Sequence, residues 1–166
     1  MNIGELLVNV ITVLLFYFFI SRTFTLRRLH WIYRGIGLML LFVLITLLNL
    51  MNIAPTITCV SGLICQILYT MVFAEGSRGA RLLIGGIPAL LAVVSDSVTF
   101  SVLGILFQDT SEALTVNSAI RSQALVIYIL TYCLLIWAVI QFFPQDLKFP
   151  GYFEGVIFLT CGLGVF

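Results

Sequence analysis

The 26 residues at positions 82–107 read LLIGGIPALLAVVSDSVTFSVLGILF. A single carboxylate, Asp96, interrupts a run that is otherwise hydrocarbon, hydroxyls, glycine and one proline. At 1.5 Å of rise per residue, a helix of this length exceeds the roughly 30 Å of a bilayer's hydrocarbon core. Steps of four, three, four and three place Gly85, Ala89, Ala92, Asp96 and Thr99 on one stripe. Small residues on one stripe let a second helix approach closely, so this stripe is expected to face a bundle with Asp96 pointing inward. Ser95, Ser97 and Ser101 add hydroxyls that can bond carbonyls of the preceding turn. Pro88 removes one rung of the helical ladder and is expected to kink the segment.

The whole chain shares this character. Of 166 residues 61% are hydrophobic and 9% charged, with 8 Lys+Arg, 7 Asp+Glu, 1 His and a net charge of +1. Soluble domains carry about 25% charge, so this composition implies a lipid environment and excludes disorder. No basic face exists for nucleic acid. The expected fold is all-α, one polytopic membrane bundle of about six helices over residues 3–20, 31–52, 57–73, 82–107, 123–143 and 151–166. The last run is still apolar at Phe166, which suggests a fragment of a longer chain. The first lacks the basic lead and cleavage site of a signal peptide, and no internal repeat of the inverted-transporter kind is visible.

Seven of the eight bases fall in alternate connections. Arg22, Arg27, Arg28 and Arg34 surround the first, Arg78 and Arg81 the third, and Lys148 the fifth. The positive-inside rule makes these cytoplasmic anchors and puts the N-terminus outside. Trp31, Tyr33, Tyr69, Trp137 and Tyr152 lie near segment ends, as interfacial aromatics do.

Asp96 has two readings: part of an internal polar or coupling site with Thr99 and Ser95, or a packing residue that fixes helix register. Asn49 and Asn52 are its candidate partners. Gly151 and Gly155 form a small-xxx-small packing element around Glu154, and both Glu154 and Glu5 are expected to reach interfacial water. The connection at residues 108–122 is the longest external stretch and would meet an arriving ligand first. Cys59, Cys65, Cys133 and Cys161 form no CxxC pair and read as small hydrophobes. His30 has no Ser, Cys or carboxylate partner nearby, and no catalytic, nucleotide, cofactor or metal motif is present. The chain is therefore not expected to be an enzyme by itself.

A basic connection follows a first helix ending in Phe16-Tyr17-Phe18-Phe19. A third helix ends in Leu68-Tyr69-Thr70-Met71-Val72-Phe73, before the turn Ala74-Glu75-Gly76-Ser77-Arg78-Gly79-Ala80-Arg81-Leu82. The fourth carries Ser95-Asp96-Ser97 and closes on Gly104-Ile105-Leu106-Phe107. This order resembles the N-terminal membrane sensor region of Agr-type (GHKL-family) bacterial sensor histidine kinases. The resemblance implies a bacterial inner-membrane receptor of five to seven helices. Such a receptor takes an extracellular signal, often a peptide, and relays it to a cytoplasmic kinase. It further implies homodimerisation, with Asp96 and the Arg78/Arg81 turn as the residues carried over. The family's phospho-acceptor His segment and ATP-binding boxes are absent from these 166 residues. Six spans from an external N-terminus would end outside, so the resemblance requires a seventh helix or one segment that does not span. Two other readings stand beside it: a small transport subunit binding a solute, and a structural membrane subunit.

Overall fold

The computed structural model describes residues 3–28, 31–50, 55–106 and 118–142. They form five helices: α1 (Ile3–Thr23), α2 (Trp31–Leu50), α3 (Pro55–Phe73), α4 (Arg78–Leu106) and α5 (Ser118–Phe142). The expected sixth segment, with Gly151, Glu154 and Gly155, lies outside the described residues, as do Asn52 and His30. α1, α2, α4 and α5 are long and apolar enough to cross a membrane, and the apolar part of α3, Ile57–Phe73, is shorter.

Three helices begin earlier than the hydropathy pattern suggests, α3 by only two residues. α4 starts at Arg78, so Arg78 and Arg81 belong to its first turn and not to a connection. Ser77 caps that turn, its Oγ accepting the Ala80 N–H at 3.2 Å. Arg81 is buried and donates from Nη1 to the Met71 carbonyl at 2.6 Å, which ties the end of α3 to the start of α4. α5 starts at Ser118, which brings Arg121 inside the helix.

Neighbours in sequence pack in pairs, α1 on α2, α2 on α3, α3 on α4 and α4 on α5, and α5 returns to pack on α1. The result is a closed ring. At the arginine-rich end, Leu26 and Ala74 form an antiparallel bridge, with Arg27 N donating to the Phe73 carbonyl and Glu75 N to the Thr25 carbonyl, both at 2.9 Å. Gly76 turns this connection at a φ of 135°, which side chains disfavour.

The ring's centre is filled on the arginine side and less so on the other. Phe16, Phe19, Ile20, Ile84, Tyr132 and Ile136 form the core there with Tyr69, whose ring meets Phe16 edge-on at 5.4 Å. Tyr69 is thus a core residue and not the interfacial aromatic its place near a segment end suggests. On α1 the inward stripe continues from Phe19 through Phe16, Val13 and Thr12 to Asn9. Outward positions such as Leu14, Met39, Leu40, Ile64, Leu90 and Leu134 are exposed and apolar, a surface compatible with lipid contact.

The small-residue stripe of α4 packs as expected at its start. A Cβ on Gly85 would sit 2.8 Å from the Thr70 side chain, whose branched Cβ leaves it little room to turn aside. At Gly35 of α2, in contrast, a Cβ meets nothing within 4 Å. Gly85→Ala should therefore lower the thermal unfolding midpoint in maltoside micelles, an overpacking cost of about 1–3 kcal/mol. Gly35→Ala should leave it unchanged or raised. Equal midpoints for the two variants would show that α3 and α4 do not meet at Gly85.

Candidate functional site

A cavity of about 700 Å³ occupies the ring on the side away from the arginines, lined by residues of all five helices. Counting back from helix ends at 1.5 Å per residue, Asp96 lies about 15 Å from the end of α4. By the same count Tyr128 lies about 15 Å into α5. Asp96 and Tyr128 lie at a similar depth, whereas the close approach of Gly85 to Thr70 and of Gly86 to Ile67 sets Gln66 opposite Ala89, about two turns deeper than Asp96. Asn49, Thr58 and Arg121 lie within a turn of their helix ends and mark its mouth. A smaller cavity of about 430 Å³, lined by Glu5, Asn49 and Arg121 among others, adjoins there.

The walls are narrow because the local residues are small. Ala89 and Ala92 of α4, Ala124 of α5 and Gly62 of α3 line the space, and a Cβ on Gly62 would meet nothing within 4 Å. The α4 stripe thus changes role along its length. Gly85 packs tightly on Thr70, Ala89 and Thr99 are buried against the cavity, and Asp96, expected to point inward, is exposed where it borders the same space.

Polar groups are arranged in order of depth. At the mouth, Arg121 is ion-paired with Glu5, joining α5 to α1 where Glu5 was expected only to reach water. Below it, Asn49 Nδ2 donates to Asn9 Oδ1 at 3.0 Å, and Asn9 Nδ2 donates to Thr46 Oγ1 at 3.4 Å. The side chains of Thr12 and Tyr128 lie close together across α1 and α5, both lining the cavity. Tyr128 also stacks on Tyr132, with ring centroids 5.9 Å apart.

The expected partnership of Asn49 with Asp96 does not form. Asn49 spends its amide on Asn9, and among the described residues no hydrogen bond or ion pair engages the Asp96 carboxylate. Asp96 lies within electrostatic range of Cys59 and Tyr128. Thr99 lines the cavity but donates its hydroxyl to the Ser95 carbonyl at 2.8 Å. Ser95 is fully buried and donates to the Leu91 carbonyl, also at 2.8 Å. α4 passes through Pro88 as one continuous helix, with the proline ring buried.

Asn9, Thr12, Gln66 and Tyr128 are site residues that the sequence pattern did not single out. Gln66 is 4% exposed, and its Oε1 has no hydrogen-bond partner among the described residues. The available signal was weak but real: Asn9 and Thr12 share the inward stripe of α1, and Gln66 is a lone amide in an apolar run.

The Glu5–Arg121 pair can be checked by charge exchange. Arg121→Glu places like charges together and should lower the unfolding midpoint. Adding Glu5→Arg should restore it, with a coupling of about 1 kcal/mol or less, as for exposed pairs. Additive losses in the double variant would exclude the contact. Compared with known proteins, the chain matches no family model, no curated protein and no solved structure, so functional inference rests on this geometry.

Proposed function

We propose that this chain is the membrane-embedded sensory module of a bacterial two-component signalling protein, binding an extracellular peptide or small molecule in the cavity of the ring. The observation that carries the reading is a cavity with polar groups in its lining, contributed by all five helices, towards the end away from the clustered arginines. Arg22, Arg27, Arg28, Arg34, Arg78 and Arg81 cluster towards the opposite end, and the positive-inside rule assigns that end to the cytoplasm of a bacterial inner membrane. The N-terminus and the cavity mouth then face outside, and the exposed apolar residues face lipid.

A ligand seated against α4 would favour one of two helix packings. α4 is the longest helix, with Asp96 towards one end and the buried Arg81 at the other. Its rotation or tilt would reach the Leu26–Ala74 bridge through Arg81 and Met71. Pro88, which lacks the N–H of its helical rung, is the compliant point between the two ends. A homodimer would let the two copies relay the shift together. Below the cavity, Phe16, Tyr69, Tyr132 and Ile136 fill the centre of the ring. That plug fits a receptor better than a small transport subunit, which must open a path on both sides.

The test uses the full-length protein in its own cells, with its phosphorylation or transcriptional output read against culture medium fractions. Asp96→Asn, at unchanged membrane abundance, should shift the half-maximal response at least tenfold. Reporter fusions at residue 27 should report cytoplasm, and fusions at residue 112 the exterior. An unshifted response with Asp96→Asn, or the reverse topology, would contradict the reading.

A further inference from the structure

The cavity carries a charge that nothing in the protein neutralises. Among its lining residues only Asp96 and Arg121 are charged. Arg121 is compensated at the mouth by Glu5, whereas Asp96 has no counter-charge among the described residues. Asp96 is exposed where it borders the cavity, and a cation is the partner its carboxylate lacks. Tyr128 lies within electrostatic range of Asp96 and stacks on Tyr132, and an aromatic ring is a surface on which cations sit well. A carboxylate without a counter-charge and an aromatic ring near it call for a positive group. The rest of the lining, such as Val8, Leu48 and Leu125, is apolar and suits a hydrocarbon body.

Resting on the receptor reading above, we propose that the cavity selects an ammonium group carried on an apolar body, with Asp96 as its counter-charge and Tyr128 as its aromatic wall. The Asn9–Asn49 pair, which also lines the cavity, gives neutral amide contacts suited to the adjoining part of the ligand. An anion has no such place, because the Arg121 guanidinium is already engaged by Glu5. The ammonium can come from a hydrophobic peptide with a free amino group or from an amine-bearing lipid headgroup.

The experiment measures saturable binding to the purified chain in maltoside micelles by equilibrium dialysis. It uses three probes of similar shape: 2-phenylethylammonium, neutral 2-phenylethanol and anionic phenylacetate. The cation should bind at least tenfold more tightly than either of the others. Asp96→Asn should abolish that preference. Gly62→Phe, which fills the void without touching the charge, should block all binding. Competition separates the sources: phosphatidylethanolamine displacing the probe marks a headgroup. An apolar peptide displacing it with a free but not an acetylated amino terminus marks a peptide. Equal binding of the three probes, or a cation preference that survives Asp96→Asn, would overturn the proposal. If phenylethanol or phenylacetate binds as tightly as the cation and Gly62→Phe blocks it, the receptor reading stands and the cationic class falls. If no probe saturates, the cationic class also falls, while the cellular response to Asp96→Asn still decides the receptor reading.

Discussion

Five helices closed into a ring make little contact across their common centre, and here α1 and α4 meet across it only in part. With neighbouring axes 8–10 Å apart, the centre of a regular five-membered ring lies about 7–8 Å from each axis. A helix with its side chains reaches only about 5–6 Å from its own axis. The gap must be filled by large side chains or left as a void, and this protein does one at each end. Phe16, Tyr69, Tyr132 and Ile136 fill it on the arginine side, while Gly62, Ala89, Ala92 and Ala124 leave it open on the other. The contact that makes the ring is the return of α5 to α1, marked at the mouth by Glu5 and Arg121.

The distribution of polarity follows from the same constraint. Inside lipid each backbone group is satisfied within its own helix, so the side chains alone can make an interior polar. Most of the polar side chains here are bound to the protein itself. Asn9, Asn49 and Thr46 bond one another, and Ser95 and Thr99 return their protons to the preceding turn of α4. The charge left over in the cavity lining is the Asp96 carboxylate, which no described residue neutralises.

Much of the fold was legible from composition and segment length, because hydrocarbon thickness fixes how many apolar residues a crossing needs. Helix ends were less legible. Arg78, Arg81 and Arg121 look like connection residues by hydropathy, yet a serine cap, a buried guanidinium bond and an ion pair draw them into helices. Asp96 was visible because a charge stands out in an apolar run, although its stripe of small residues suggested a more inward direction than its exposed place at the cavity border. Its surroundings were not visible. Asn9 and Asn49 are 40 positions apart and meet only because α1 and α2 pack antiparallel. Tyr69 and Gln66 occupy one helix and differ in role only through what faces them across the ring, which periodicity within α3 does not encode.

The central claim is that water-borne molecules reach Asp96 through the mouth of the ring. Cysteine accessibility at that position tests it most directly, in a chain whose native cysteines are replaced by alanine. Asp96→Cys should react with a membrane-impermeant methanethiosulfonate at least tenfold faster than Val94→Cys, which sits on the exposed apolar surface of the same helix. The Gly62→Phe substitution should slow the first reaction and not the second. Equal rates at positions 94 and 96, or a rate at 96 indifferent to Gly62→Phe, would mean that the ring encloses no accessible site.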